Sequence, residues 1–365
     1  MLEDNKRKPV KSSARIHGNI PYYGANGVQD YVQGYTHSGE HVLIAEDGAN
    51  NLIDYPIHFT SSSCWVNNHA HVLTGIPDKI QNLFLAYDLK KVHYNKYLVG
   101  SGRFKLNAAT LKIIPVNIPL LQEQKLISKL VCLVDTIISL QQRKLSLWKQ
   151  LKKGFLQKMF ASSKSKKPLI RIQGFSDEWE PRNLGTLAQI VGGGTPNTKN
   201  PKYWNGSINW YTPAELYSGE IYTSHSKRTI TELGLQNCSA KILPIGTVLF
   251  TSRAGIGKTA ILLQEATTNQ GFQSIIPKKD ELDNYFVFLL TNQLKRYGET
   301  HGAGSTFIEI SGRELSKAPI KLPSIKEQKR ISKFNQRIDR IVSDQQTTIN
   351  GLAKLKEFLL QQMFI

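Results

Sequence analysis

The chain of 365 residues contains one long segment twice, and this duplication constrains the fold more than any single motif. The stretch from Ile118 to Phe160 aligns with Leu322 to Phe364 without a gap, a shift of 204 residues, with 18 identities in 43 positions. A repeat of this size predicts that one structural unit occurs twice. We therefore expect two copies of a globular segment followed by a long helix, related by approximate twofold symmetry.

The apolar residues of both repeated segments recur every three or four positions, which is the spacing of one helical face. A helix of about forty residues is about 60 Å long and cannot bury a wide apolar face alone. The duplication favours packing of the two helices on each other as an antiparallel coiled coil. The side chains expected at this interface are Ile127, Val134, Ile138, Gln141, Leu145, Trp148, Ile331, Ile338, Val342, Gln345, Ile349 and Leu352.

The midpoints of the two helices fall close to Gln141 and Gln345, which are equivalent residues that interrupt the apolar stripe. In an antiparallel pair these residues are predicted to meet, and a polar contact there can fix the register at some cost in stability. The alternative is two unrelated surface glutamines.

Each helix opens with Pro-x-x-x-Glu-Gln, from Pro119 and from Pro323, and an acid in the first turn suits the positive end of the helix dipole.

The segments outside the long helices contain short strand-like runs between turn signals, with a few short helices. This pattern is typical of a mixed α+β fold. The expected organisation is a first globular domain at 1–117, a first long helix at 118–160, a basic linker at 161–173, a second globular domain at 174–321 and a second long helix at 322–365.

Both globular segments end alike. Gly100-Ser101 and Leu111-x-x-x-Pro115 in the first align with Gly304-Ser305 and Leu315-x-x-x-Pro319 in the second. The globular segments are thus duplicated too, although they have diverged further than the helices. A shared frame with divergent globules indicates one assembly platform and two different recognition domains.

The net charge predicts the kind of partner. The chain has 47 Lys+Arg against 28 Asp+Glu, a formal charge of +19, which attracts polyanions, and nucleic acid is the usual one. The alternatives are a basic protein kept soluble by its charge or one that docks on an acidic partner.

The sequence contains no run of eighteen apolar residues, so no membrane span is predicted. The first residues lack the apolar middle of a signal peptide, so we expect a cytoplasmic protein.

Neither a metal site nor a catalytic constellation is predicted. Cys64, Cys132 and Cys238 lie far apart without CxxC spacing, which argues against a disulfide framework and against a zinc knuckle. His69 and His71 alternate on an expected strand and lack a third ligand. No paired carboxylates or Ser-His-Asp signature is found.

A glycine-rich loop, Ser252-Arg-Ala-Gly-Ile-Gly-Lys-Thr259, follows an expected strand. A phosphate loop needs a glycine where Ser252 stands, so nucleotide hydrolysis is the least favoured hypothesis. Arg253 and Lys258 in such a loop suit contact with a DNA backbone or base. The alternative is a plain solvated turn.

Other polar and aromatic residues lie near expected strand ends. Asn and Gln can pair with adenine in the major groove, although they also serve as satisfied turn amides. A flexible loop with free N–H groups at 192–196 suits a phosphate, and the paired aromatic residues either stack on bases or pack in the core. The candidate DNA-binding residues are Tyr22, Tyr23, Asn26, Asn67, Asn68, His69, Thr195, Asn197, Tyr211, Arg253, Lys258, Asn269 and Gln270.

Together these features resemble the specificity (S) subunit of Type I restriction–modification enzymes. The first globule carries Ile20-Pro-Tyr-Tyr-Gly-Ala-Asn-Gly27 and Gly39-Glu-x-Val-Leu-Ile-Ala-Glu-Asp-Gly48. The second carries Trp179-x-x-x-x-Leu-Gly185 and Gly193-Gly-Thr-Pro196. The Pro-x-x-x-Glu-Gln openings and Met-Phe ends of the helices complete a pattern that covers nearly the whole chain.

The resemblance implies two target-recognition domains that each read half of a split DNA sequence and are spaced by the antiparallel coiled coil. It also implies two methyltransferase subunits that modify adenine in each half-site, and restriction subunits that complete an ATP-dependent nuclease. The chain itself would be non-catalytic and bind no cofactor, with S-adenosylmethionine, ATP and Mg on the partner subunits. The base sequence read and the spacer length are left open, as is whether the complex restricts or only methylates.

The first domain departs from this pattern. It has 110 residues before Leu111, against 141 from Gly174 to Glu314 in the second, and it lacks a counterpart of the segment from Trp179 to Gly185. Either that domain is short or the chain begins inside it. The alternative function is therefore a shortened or cassette-derived product that binds methyltransferase subunits without full site recognition.

Overall fold

The computed structural model describes residues 1–162, 165–217, 219–253, 255–304 and 308–364. Ser163 and Lys164 of the expected linker, Ala254 of the glycine loop and Ser305 of the repeated Gly-Ser pair lie outside these residues.

The chain divides into two compact units. Unit 1 comprises Met1–Leu145 with Gln345–Ile365, and unit 2 comprises Ser146–Asp344. Each unit therefore contains one globular segment together with part of both long helices.

Unit 1 consists of two three-stranded sheets and short helices. The sheets have the orders β2-β1-β5 and β4-β3-β6, and β1 runs antiparallel to β2 but parallel to β5. The strands are β1 (His17–Gly24), β2 (Gly27–Val32), β3 (His41–Ala45), β4 (Ile57–Thr60), β5 (Trp65–Val66) and β6 (Ala70–Leu73), and the helices are α1 (Asn82–Lys90), α2 (Ala108–Leu111) and the long α3 (Leu121–Lys158).

Unit 2 has a larger sheet of five strands, in the order β10-β13-β12-β15-β8, beside the smaller sheets β11-β9-β14 and β16-β7. The strands are β7 (Glu180–Asn183), β8 (Ala188–Gly192), β9 (Trp204–Tyr211), β10 (Tyr222–Thr223), β11 (Arg228–Ile230), β12 (Val248–Phe250), β13 (Thr259–Leu262), β14 (Ala266–Thr268), β15 (Gln273–Pro277) and β16 (Pro319–Leu322). The helices are α4 (Leu184–Leu187), α5 (Glu232–Gln236), α6 (Asn284–Leu289), α7 (Thr291–His301), α8 (Gly312–Leu315) and the long α9 (Ile325–Met363).

The central strand of each unit is covered on both faces, so its side chains are apolar except for His41 at the start of β3. All five residues of β3 and all three of β12 are buried. In unit 1, Val42 and Ile44 of β3 pack with Leu85 and Leu89 of α1. In unit 2, Phe250 of β12 belongs to a cluster that also contains residues of α6 and both long helices. The mixed α+β fold class expected from the sequence is confirmed.

The long helices run antiparallel within unit 1. Lys356 of α9 lies with its Nζ 2.7 Å from an Asp135 carboxylate oxygen of α3. Nearer the middle of the helices, Gln345 Nε2 donates to Gln141 Oε1 at 2.5 Å. Residue numbers thus fall along α9 as they rise along α3, which confirms the predicted direction and the predicted contact between the two glutamines.

The same antiparallel pairing occurs in unit 2. Lys152 of α3 forms an ion pair with Asp339 of α9. The rings of Phe155 and Phe334 meet edge to face with centroids 5.0 Å apart. The twelve residues expected at the helical interface are all buried or half-buried.

A buried glutamine attaches the first globular segment to its long helix. The Gln124 side chain is fully buried, and its Oε1 accepts from the Gln81 N–H at 2.9 Å. Its Nε2 donates to the carbonyl oxygens of Lys79 at 2.8 Å and Pro119 at 2.9 Å. The glutamine of the Pro-x-x-x-Glu-Gln motif therefore fixes the turn that leads into α1.

The equivalent glutamine makes the same bonds in unit 2. Gln328 Oε1 accepts from the Asp283 N–H at 3.0 Å, and its Nε2 donates to Glu281 at 3.1 Å and Pro323 at 3.0 Å. Three hydrogen bonds at each buried amide explain why this position is identical in both repeats, since an unsatisfied buried amide is costly.

The first residues of unit 1 lie against the edge of the sheet formed by β4, β3 and β6. The Glu3 N–H donates to the Val72 carbonyl oxygen at 2.8 Å, so this segment lies beside β6 as β8 lies beside β15. Among the described residues of unit 1, no strand corresponds to β7.

Of the described helices, none is long and apolar enough to cross a membrane.

Candidate nucleic-acid interface

Three loops of unit 2 meet at one end of its sheets. Strands β8 and β12 both run antiparallel to β15, so both end where β15 begins. Gly192 at the end of β8 pairs with Gln273, and Thr251 after β12 pairs with Phe272. The loop residues 193–197, 252–253, 255–258 and 269–271 consequently form one cluster, which we call the unit 2 loop end.

Polar groups connect these loops. Thr195 Oγ1 donates to Gln270 Oε1 at 2.5 Å, and Asn269 Oδ1 accepts from the Gly271 N–H at 2.9 Å. A Cβ on Gly193 would lie 2.1 Å from the Asn269 carbonyl oxygen, so only glycine permits this approach. Asn197 is exposed, and its side-chain oxygen accepts from the Lys199 N–H at 3.0 Å.

The glycine loop of unit 2 is closed by Thr251. The Thr251 hydroxyl donates to the Gly255 carbonyl oxygen at 2.7 Å and accepts from the Lys258 N–H at 2.9 Å. The loop leads into strand β13, whereas a phosphate loop opens a helix. Lys258 is exposed, and the Arg253 guanidinium lies 3.7 Å from the Glu309 carboxylate.

Unit 1 has the corresponding cluster, the unit 1 loop end. Because β1 and β5 are parallel, both end on the same side, and the Glu46 N–H at the end of β3 donates to the His69 carbonyl oxygen at 2.9 Å. Asn26 Nδ2 donates to Gly48 at 2.9 Å, and its Oδ1 accepts from the Asn50 N–H at 2.9 Å. Asn26 therefore positions the loop after β3.

Three polar side chains meet at the unit 1 loop end. His69 Nδ1 is 2.5 Å from one Asp47 oxygen, and Arg103 Nη2 is 3.2 Å from the other. Sequence reasoning did not single out Asp47 or Arg103, because they lie far from His69 along the chain. The isolated bridge between Val99 and Lys105 that presents Arg103 has no strong sequence signal.

Three of the candidate DNA contacts are corrected by the structure. Tyr22 and Tyr211 are each only 1% exposed, and Asn67 is 4% exposed. The Tyr22 hydroxyl accepts from the Val10 N–H at 3.0 Å, and the Tyr211 hydroxyl accepts from Thr223 at 3.0 Å. Such side chains cannot reach DNA from their present positions, because each is enclosed in the core.

The other candidates remain predictions. Tyr23 is half-buried, and its ring lies 6.3 Å from the His58 ring; burial raises the pKa of its hydroxyl. The candidates that are exposed or half-exposed at the two loop ends are Asn26, Asn68, His69, Thr195, Asn197, Arg253, Lys258, Asn269 and Gln270.

Beside the unit 1 loop end lies a polar cavity of about 420 Å³ whose lining includes Asn26, Asn50, Asp54, His58 and Lys90. Burial lowers the pKa of His58 and the pKa of Lys90. His58 Nε2 has no hydrogen-bond partner among the described residues.

The prediction that His71 lacks further metal-ligand side chains nearby is wrong, because two carboxylates approach it. Asp4 Oδ2 is 2.6 Å and Glu46 Oε2 is 3.7 Å from His71 Nδ1. Both carboxylates also form ion pairs, Asp4 with Arg7 at 3.2 Å and Glu46 with Arg7 at 2.6 Å and Lys105 at 2.9 Å. These cations balance the carboxylates, so the cluster has the character of a half-buried ion-pair network around the buried His71.

The two units define a class of protein in which duplicated α+β domains, each with a polar loop cluster, attach to antiparallel long helices. The sequence matches the family described as Type I restriction modification DNA specificity domain over residues 2–147 and 176–354. The chain belongs to this family, and its role is DNA recognition as a specificity subunit.

Individual relatives agree. The chain is 31% identical over 343 residues to a putative type I restriction enzyme specificity subunit of Haemophilus influenzae, covering 90% of this chain and 83% of that protein. It is 37% identical over 190 residues to the MjaIX specificity subunit of Methanocaldococcus jannaschii, covering 52% of this chain and 44% of that one. The fold matches the crystal structure of an S subunit from M. genitalium with a TM-score of 0.66 at 13% identity, covering 100% of this chain and 93% of that one.

Proposed function

We propose that each unit reads one half of a split DNA sequence, and that the chain scaffolds the methyltransferase and restriction subunits of a Type I complex. The observation that carries the proposal is that the two units share a backbone hydrogen bond at their loop ends but differ in the side chain beside it. Glu46 of unit 1 and Ser252 of unit 2 make the same backbone hydrogen bond, to His69 and to Gly271. The next residue in the chain is an acid, Asp47, in the first unit and a base, Arg253, in the second.

The opposite charges at this shared position favour different half-sequences. A carboxylate accepts hydrogen bonds, as from cytosine N4, whereas a guanidinium donates two, as to guanine O6 and N7. A protein that recognises two different half-sites requires different side chains, and here the same backbone arrangement positions them in both units. The match of the family over both units favours recognition of both half-sites over the alternative of a product that only binds methyltransferase subunits.

The formal charge of +19 supports DNA as the partner, because lysine and arginine neutralise phosphates and release counterions. The long helices would set the distance between the half-sites, and two half-sites about one helical turn apart suit a rigid spacer. Equal insertions in α3 and α9 should then change the gap in the recognised sequence without changing either half.

The outer surface of α3 supports a protein partner. Leu126, Leu130, Leu133 and Leu140 recur at helical spacing and are exposed, Leu126 to 64% and Leu140 to 60%. Contiguous exposed apolar residues indicate an interaction surface. We assign this surface to a methyltransferase subunit. S-adenosylmethionine, ATP and Mg would bind the partner subunits, and the assembled complex would act in the cytoplasm.

The test is a binding and methylation assay with a library of split-site DNA. The chain assembled with methyltransferase subunits should select one bipartite sequence, and exchange of residues 174–321 for those of a relative should change one half only. A change in both halves would contradict the modular assignment. Binding should weaken steeply with salt.

A matched pair of variants tests the basic loop. Lys258→Ala should weaken DNA binding without loosening methyltransferase assembly. Gln264→Ala, an exposed residue in the turn at the other end of β13, should leave DNA binding unchanged. Equal effects of the two substitutions would remove the unit 2 loop end from the interface.

A further inference from the structure

Asn67 and Asn269 occupy the same structural position in the two units. The Asn67 N–H donates to the Tyr23 carbonyl oxygen at 3.0 Å, and the Asn269 N–H donates to Tyr211 at 2.9 Å. In both units the strand that ends one residue before the asparagine runs parallel to the strand that contains the tyrosine. The asparagines therefore begin equivalent turns.

The side chains of the two asparagines stabilise those turns. Asn67 Oδ1 accepts from the His69 N–H at 2.8 Å, and Asn269 Oδ1 accepts from the Gly271 N–H at 2.9 Å. This bond closes an Asx-turn, in which the asparagine side chain binds the backbone two residues further on. The residues between donor and acceptor are Asn68 and Gln270, and both are exposed.

The backbone after each turn is held as well. The carbonyl oxygens of His69 and Gly271 accept from the neighbouring loop at 2.9 Å in both units. Each unit thus presents an exposed carboxamide at the same place in its loop end. The backbone that carries it is held by hydrogen bonds before and after the turn. Pre-positioned groups lose little freedom on binding, which suits them for reading a base edge.

The orientation of the Gln270 amide is defined by a neighbour. Thr195 donates to one lone pair of Gln270 Oε1, which leaves the second lone pair and both Nε2 hydrogens available. An amide held in this way can accept from adenine N6 while donating to adenine N7. The shorter side chain of Asn68 offers the same pair of groups.

We propose that Asn68 and Gln270 are specificity-determining residues, each selecting an A·T pair in the half-site that its unit reads. The inference rests on the proposed function and deepens it by naming one base pair and one reading residue in each half. Because the two positions are equivalent, the selected pairs occupy corresponding places in the two half-sites.

The experiment uses the chain assembled with its methyltransferase subunits. The bound and methylated sequences from a randomised split-site library are compared for the unsubstituted chain, Asn68→Ala and Gln270→Ala. Each substitution should reduce discrimination by about tenfold or more at one A·T position of one half-site. All other positions of the motif should be retained.

Controls separate base reading from folding and from general affinity. Gln33→Ala and Gln264→Ala change exposed amides at the opposite strand ends of units 1 and 2, and they should leave the motif unchanged. An unaltered motif in Asn68→Ala or Gln270→Ala, a relaxed position other than A·T, or a uniform loss of binding would overturn the inference. If the unsubstituted complex itself selects no bipartite sequence, the proposed function fails instead.

Discussion

Gln345 donates a hydrogen bond to Gln141 at 2.5 Å, and the two residues are equivalent positions of the repeat, 204 residues apart. When two equivalent helices run antiparallel, a residue can meet its own equivalent only at the midpoint of the pair. Gln345 is only 7% exposed, so this amide pair lies within the helical interface rather than on its surface. The pair fixes which residues of α3 face which residues of α9.

Replacement of both glutamines by apolar residues should raise the stability of the helical pair and weaken the specificity of its register. Gln345→Ala alone should lower the free energy of unfolding by about 1 kcal/mol, because it removes one hydrogen bond and leaves the Gln141 amide without its partner. The double change to leucine should raise it by about 1 kcal/mol through added apolar burial. Urea unfolding measures both values. A double variant less stable than the single one would contradict this account of the pair.

The glutamates of the two Pro-x-x-x-Glu-Gln motifs should contribute differently to the free energy of unfolding. Glu327 is 2% exposed, and its carboxylate accepts two hydrogen bonds of 2.8 Å from Arg171, whereas Glu123 is exposed. Glu327→Ala leaves the half-buried guanidinium of Arg171 without its partner and should cost about 2 kcal/mol. Glu123→Ala should change stability by less than about 0.5 kcal/mol.

Denaturant unfolding of the two glutamate variants provides the comparison, with hydrogen exchange to assign the loss to unit 2. The restoring variant is Glu327→Gln combined with Arg171→Met, which removes both charges and should recover part of the stability. Equal losses in Glu123→Ala and Glu327→Ala would show that the helix dipole, rather than Arg171, sets the role of this acid.

A second equivalent pair, Asp135 and Asp339, also allows a matched test. Each accepts from a tyrosine and pairs with a lysine of the other helix: Tyr87 and Lys356 for Asp135, Tyr285 and Lys152 for Asp339. The Asp339 side chain is 11% exposed and that of Asp135 is 33% exposed.

Asp339→Ala should therefore cost about 2 kcal/mol, because a buried hydroxyl and a lysine lose their partner. Asp135→Ala, in a more solvated environment, should cost about 1 kcal/mol or less. Thermal unfolding with hydrogen exchange of each unit gives the two losses separately. The order is the prediction, and a larger loss from Asp135→Ala would refute it.

Stability of unit 1 should fall in acid. Burial by itself would raise the pKa of Asp4, but hydrogen bonds from His71 and the Val72 N–H hold that pKa below its ordinary value of 3.8. The pKa of Glu46 is likewise held below 4.5, because bonds from Arg7 and Lys105 outweigh burial. Unfolding raises both pKa values, so protons favour the unfolded state.

The stabilisation is then complete above the ordinary carboxyl range and is lost as the pH falls through the lowered pKa values, below about 4. The melting temperature of unit 1 between pH 7 and pH 3 measures the effect. Asp4→Asn should lower the melting temperature at pH 7 and flatten its acid dependence. Asp78→Asn, a change at an exposed acid, should do neither.

Part of this molecule follows from local sequence. The apolar periodicity and the duplication predicted the long helices, their antiparallel direction and the Gln141–Gln345 contact, because helical spacing and repeat symmetry are both written in residue order. The comparable positions of Asn67 and Asn269 could likewise be predicted from the strand ends. The buried tyrosines could not, since Tyr22 and Tyr211 carry the same local signal whether they pack or stack.

Only the tertiary structure decided which equivalent residues share a role. Glu123 and Glu327 are identical in motif, yet Arg171 approaches only one of them. Gln81 and Asp283 occupy equivalent positions before α1 and α6. Tyr87 lies six residues after Gln81 and Tyr285 lies two residues after Asp283, yet both hydroxyls donate to the equivalent aspartate. Such contacts join residues distant along the chain, and their geometry depends on the packing of whole elements. The sequence by itself determined the repeated frame; three-dimensional packing determined which side chains remain exposed at its loop ends.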